Sequence, residues 1–213
     1  MQCPVCGQDY GLTHSCAGIA PMAVAEELAP PPSLRFDPVH YFTEAFRILC
    51  WDDAAVRRAS RDDNALLYGL VIVALAPVIP FGLMILRFAS LGLPTPWQTI
   101  GMGYIVAVVF SVVWIVAQIG LAHVLAKAMF GARGTYAALL RAYLLGQLYT
   151  WVAAVPIIGG LASGIGGIAV LMLVFEEVDG VERMKAFGLA AAIGVTFWIL
   201  SIWAATSLMH PIH

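Results

Sequence analysis

The sequence predicts an all-α membrane protein: a polytopic bundle of five transmembrane helices, preceded by a small zinc-binding head and an amphipathic helix. Three observations predict it. Of the 213 residues, 61% are apolar and 11% charged, with a mean hydropathy of +0.87, whereas soluble domains run at about 45–50% apolar and about 25% charged. The charges are unevenly placed: residues 1–64 hold nine of the 13 acids and five of the 11 Lys and Arg, and no Asp or Glu occurs between Asp63 and Glu176. Three of the four cysteines, with a histidine among them, fall in the first 16 residues. The net charge of −2 argues against a nucleic-acid partner, which usually meets a basic face.

Residues 1–16 form the head. They lack the basic start and apolar run of a secretory signal and carry acids that a transit peptide avoids, so the first residues are expected to persist in the mature protein. Cys3, Cys6, His14 and Cys16 follow the pattern C-x2-C-x7-H-x-C. Zinc favours a tetrahedron of thiolates and imidazoles, and a Cys-x2-Cys turn presents two sulfurs to one ion. Four protein ligands close the site to water, so one structural zinc per chain is expected and catalysis is not. Metal binding would supply folding free energy on the order of 10 kcal/mol to a unit too small to bury a core. Cys50, beside Trp51, is expected to be a small packed apolar residue.

Residues 17–33, with Pro21, Pro30, Pro31 and Pro32 among Ala, Glu and Met, read as a tether, because proline withholds the donors a helix needs. In the juxtamembrane segment 34–64, Phe36, Val39, Phe42, Phe46 and Leu49 recur at helical spacing with Asp37, His40, Glu44 and Arg47 between them. This predicts an amphipathic helix, lying on the cytoplasmic leaflet or capping the bundle by packing on its loops.

Crossing the roughly 30 Å of hydrocarbon takes about 20 mainly apolar residues with every backbone group paired. Five segments of the domain 65–213 qualify: about 65–86, 100–126, 136–155, 157–175 and 186–208. The third is the shortest and relies on Arg141 reaching the headgroups; a re-entrant third and fourth segment would leave the charge balance unaltered. With five spans, ten of the 11 basic residues fall on one side and Arg87 alone on the other. Positive residues stay inside, so the N-terminus is expected in the cytoplasm and the C-terminus outside.

Polar groups within spans are candidates for function. Gln118 and His123 lie in the second and Gln147 in the third. His123 is expected at the interface, and the two glutamines are expected to hydrogen-bond between helices. Arg133, Arg141, Glu176, Glu177, Asp179, Glu182, Arg183 and Lys185 are expected as solvated loop charges with one or two ion pairs, the alternative being a docking surface. In the fourth span Gly160 and Gly164, like Ser163 and Gly167, are four residues apart. They make a nearly flat face for helix packing inside the bundle, or for a homo-oligomer. The chain holds no H-E-x-x-H, G-x-S-x-G or P-loop, so an enzyme is not expected.

The pre-membrane segment Phe36-Asp-Pro-Val-His-Tyr-Phe42, the five spans, the loop Gly131-Ala-Arg-Gly-Thr-Tyr136, the turn Val155-Pro156 and the loop Val178-Asp-Gly-Val-Glu-Arg-Met-Lys185-Ala186 resemble the Yip1 domain family of polytopic membrane proteins. The resemblance covers roughly residues 36–208. A zinc-ribbon-like head on a Pro-rich tether is similar to an arrangement in prokaryotic members. Eukaryotic relatives interact with small Rab-type GTPases in vesicle traffic and membrane shaping, and this chain departs from them by its head. For a bacterial member the resemblance implies a fold and a place in the cytoplasmic membrane. The resulting expectation is a membrane scaffold or adaptor whose head recruits or senses a cytoplasmic protein. The alternative is a small transporter or channel subunit for an uncharged or weakly polar solute.

Overall fold

The computed structural model describes residues 37–155 and 158–209. Aspartates start the first three helices. Asp37 caps α1 (Pro38–Leu49) by accepting from the His40 amide at 3.0 Å, with Pro38 in the first turn where its missing donor costs nothing. Asp52 caps α2 (Asp53–Arg61) and Asp62 caps α3 (Asp63–Leu75) in the same way. Several of the acids concentrated before residue 64 are therefore helix starts. Between α1 and α2 the Trp51 amide bonds Ile48 O and the Asp52 amide bonds Arg47 O, closing a Schellman turn. Its left-handed residue is Trp51, at φ 66°, where glycine is usual.

Helix α3 bends at Pro77 into α4 (Val78–Ser90), and the pair spans 28 residues. Helix α5 (Trp97–Phe130) has 34 residues, about 51 Å at about 1.5 Å per residue, so it outruns the hydrocarbon layer. Helix α6 (Tyr136–Leu145) continues as a 3-10 helix, Gly146–Ala154, and is followed by α7 (Gly159–Asp179) and α8 (Arg183–Met209). Gly131 and Gly180, at φ 64° and 68°, end α5 and α7 in the left-handed conformation that favours glycine. Among the described residues, four helical stretches are long and apolar enough to cross a membrane: Asp63–Ser90, Trp97–Phe130, Gly159–Asp179 and Arg183–Leu200. This is an all-helical membrane protein, with no strand among the described residues.

The third predicted span departs from a single α-helix. It changes to 3-10 winding at Gly146, where a side chain would strike Val170 Cγ1 at 2.6 Å and Ile48 Cγ2 at 3.3 Å. Ten residues of α-helix and nine of 3-10 helix rise together about 33 Å. This composite lies at the centre of the core: Leu139, Tyr143, Leu144, Leu145 and Gln147 are almost fully buried, as is the run Val170–Phe175 of α7 beside it. Helix α4 buries nothing, and α5 keeps most of its length exposed, as lipid-facing helices should.

Helix α1 packs on the bundle. Tyr41 stacks on Tyr68 at 4.0 Å and donates to Asp62, and Phe42 meets Trp151 edge-on at 5.7 Å. The buried face is Tyr41, Glu44, Ala45 and Ile48, whereas Val39 and Phe46 of the predicted apolar face are 74% and 60% exposed. The face turned inward because the Glu44 carboxylate accepts from Arg47 Nη1 at 2.8 Å and Arg58 Nε at 3.0 Å. A paired charge can be buried, an unpaired one cannot. Cys50 is exposed, correcting its expected packed role.

Candidate functional site

Two regions gather the candidate residues. The first is the charged end of the bundle. Arg57 of α2 pairs with Glu177 of α7, and Arg141 of α6 pairs with Asp63 at the start of α3. Arg183 holds Glu176 with Nε at 2.8 Å, and Lys185 holds Glu182 at 2.7 Å. More of the loop charges are paired than expected, and they bind separate helices into one surface. Asp179, expected to be solvated, is buried, its carboxylate set against the Gly134 backbone. It lies where the loop before α6 crosses the end of α7, the Arg133 amide donating to Asp179 O at 3.3 Å.

The second region is a cavity of about 330 Å³ inside the apolar part of the bundle, bordered by α3, α5, α6, the 3-10 helix, α7 and α8. It brings together Gln118 from α5 and Gln147 from the 3-10 helix, which are 29 residues apart in sequence. The Tyr143 hydroxyl stands 3.5 Å from Gln118 Oε1 and 3.1 Å from the Tyr149 hydroxyl. Gln147 is 2% exposed, and its amide nitrogen faces the Tyr143 and Tyr149 hydroxyls without a close hydrogen bond to either. A buried donor left so costs about 1–3 kcal/mol, so this amide can donate to an acceptor that enters. Trp114 and Phe197 meet edge-on at 5.0 Å, forming an aromatic part of the wall.

Each intramembrane residue singled out from sequence has a definite place. Gln118 contacts the neighbouring helix through Tyr143, as an interhelical glutamine should. His123 lies apart from the cavity, half-buried with its ring 6.1 Å from that of Tyr136 and Nδ1 unpartnered. Gly167 packs under Tyr149, where a Cβ would meet the hydroxyl at 3.0 Å and the ring at 3.1 Å. Gly160 and Gly164 behave differently: a Cβ at either would meet nothing within 4 Å, and both border the cavity together with Ser163. Cys3, Cys6, His14 and Cys16 lie outside the described residues, among which no cluster of three or more His, Cys, Asp and Glu could hold a metal ion.

Tyr143 and Tyr149 escaped sequence reasoning because tyrosine in an apolar segment is ordinary core material. The available signal was the spacing of Tyr143 and Gln147, four residues apart and so on one helix face. In comparison with known proteins, the chain matches no family model, no curated protein and no solved structure.

Proposed function

We propose that the protein is a membrane scaffold or adaptor of the Yip1-like type in a bacterial cytoplasmic membrane, with five spans, a cytoplasmic N-terminus and an external C-terminus. The composite of α6 and the 3-10 helix supplies the fifth crossing, since its rise of about 33 Å matches the hydrocarbon thickness. The observation that carries the scaffold role is the ion-paired end. Helix α2 is tied to the bundle by Arg57–Glu177 and by Arg141 donating to Ser60 O, Glu44–Arg58 ties α1 to α2, and Arg141–Asp63 joins α6 to α3, making one surface from segments distant in sequence. Exposed Phe46 and Trp51 on that surface are suited to a protein or lipid partner. A zinc held by Cys3, Cys6, His14 and Cys16 would give the preceding segment a fixed shape with which to recruit or sense a cytoplasmic protein. Deleting residues 1–33 and comparing in-cell crosslinked partners tests this role; an unchanged partner set refutes the head as recruiter.

A second reading, a transporter or channel subunit for an uncharged or weakly polar solute, draws on the cavity that Gln118 and Gln147 share. It requires proteoliposome flux that falls when either residue is changed to Leu.

A further inference from the structure

The cavity among α5, α6, α7 and α8 has three properties that together restrict its occupant. Its lining holds a buried, unpartnered donor, the Gln147 amide nitrogen, with the hydroxyls of Tyr143 and Tyr149 in the same wall. Among the described residues no Asp, Glu, Lys, Arg or His borders it, so an ionised ligand would be desolvated there with no counter-charge. The remaining wall is mainly apolar and aromatic, with uncharged Ser111, Gln118, Thr150 and Ser163 as its other polar groups. A ligand that satisfies all three carries no charge, offers an acceptor oxygen, and has an apolar body.

The opening indicates where such a ligand comes from. Phe110 and Trp198 border the cavity and are exposed on the lipid-facing surface of α5 and α8. Gly160 and Gly164 border both the cavity and an adjoining groove between α7 and α8, whose rim is exposed Leu161, Ile165 and Val195. Because a Cβ at either glycine would meet nothing within 4 Å, the missing side chains leave the gap unfilled. Gly194 and Trp198 lie 11 and 15 residues beyond Arg183, about 17 and 22 Å along α8 from the charged end. The opening therefore lies toward the end of the bundle opposite the charged end, where α7 begins at Gly159, and faces outward between α7 and α8. The volume of about 330 Å³ is small for a ligand pocket, enough for a compact head and the first part of one chain.

We propose that this cavity binds an uncharged single-chain amphiphile from the bilayer, with a hydroxyl- or ester-bearing head of the monoacylglycerol type. The Gln147 amide N–H donates to an oxygen of the head, while the chain runs out over Gly160 and Gly164 into the lipid. Such binding requires neither a cytoplasmic partner nor passage across the membrane; it shares its cavity with the transport reading and differs from it in needing no flux.

The test uses the full chain in lipid nanodiscs and a monoacylglycerol carrying a diazirine in its acyl chain, with crosslinked peptides mapped by mass spectrometry. Saturable labelling is expected in residues 110–118, 160–168 and 194–198, competed by unlabelled monoacylglycerol and not by lysophosphatidic acid of the same chain length. Gln147→Leu is expected to weaken apparent affinity about five- to ten-fold, the loss of one hydrogen bond. Gly164→Phe fills the gap from a position with free space around it. It is expected to abolish saturable labelling while leaving thermal stability unchanged, which keeps the test decisive if the Gln147 variant folds poorly. Labelling that is non-saturable and evenly spread over the lipid-facing helices overturns the proposal, as does labelling that Gly164→Phe leaves intact. Efficient disulfide crosslinking of two Leu161→Cys chains across the groove overturns it too, by showing that a second copy covers the opening.

Discussion

Replacing Gly69 by alanine tests the packing on which the whole core rests. A Cβ at this position would stand 2.6 Å from Leu144 Cβ, and 2.7 and 2.9 Å from the backbone atoms Leu144 C and Leu145 N. Carbon atoms normally approach to about 3.5–4.0 Å, so α3 and α6 must separate by about 1 Å. Two of the three obstacles are backbone and cannot rotate away. Overpacking costs about 1–3 kcal/mol, and the rigidity of this contact puts it at the upper end. Against that, alanine in a helix gains about 0.5–1 kcal/mol over glycine, leaving a net loss of about 2 kcal/mol. Separating these helices also strains the other ties of α3, where Tyr68 stacks on Tyr41 and Ile72 O accepts from Trp151 Nε1 at 3.2 Å. Gly120→Ala in α5 is the control, because its Cβ meets nothing within 4 Å and only the helix gain remains. Reversible unfolding in mixed SDS micelles, followed by circular dichroism, measures both variants. Equal stability changes for the two would refute the close approach of α3 and α6 as the centre of the fold.

Three further outcomes follow from the same geometry. Arg58→Ala leaves the Glu44 carboxylate, 4% exposed, with Arg47 as its remaining partner, and is expected to cost about 2 kcal/mol, the loss of hydrogen bonds to a buried charge. Glu44→Gln leaves two arginines that are 52% and 41% exposed and can rehydrate, so about 1 kcal/mol is expected, and the reverse order in the same unfolding assay counts against the buried carboxylate. Burial, and then the bond to Asp62, hold the Tyr41 phenol well above its ordinary pKa. The unfolded phenol ionises near about pH 10 while the folded one stays neutral, so its contribution is complete below that pH and declines above it; Tyr41→Phe should flatten this alkaline loss. Cys6→Ser should remove the zinc, expected at one per chain, from purified protein measured by elemental analysis, and unchanged stoichiometry would sink the head as a metal site.

Four of the five expected spans coincide with long apolar helices, legible in the sequence because residence in lipid is a demand each segment meets alone. The 3-10 winding after Gly146 was not legible, since it depends on Val170 and Ile48 closing in on a glycine from two other helices. The buried face of α1 was misjudged for a related reason. Periodicity treats Glu44 as a solvent residue, whereas its partner Arg58 is 14 residues away on a separate helix. The ion pair Arg57–Glu177 joins residues 120 positions apart, a separation at which charge counting can report sign and side but no partner.

For the candidate site, sequence alone singled out Gln118 and Gln147 as polar groups in apolar surroundings, and Gly160 and Gly164 as a face without side chains. Their assembly around one cavity needed the packed bundle, as did the contrast between Gly167 under Tyr149 and the open space beside Gly164. The sequence by itself determined that this chain is helical and built for a membrane, because hydrophobicity and the need to pair backbone groups act residue by residue along a segment. Only the tertiary structure decided which charges are buried in pairs, where the helices touch backbone to backbone, and which polar groups share a cavity. Those depend on contacts between helices, and a one-dimensional pattern carries no information about which faces meet.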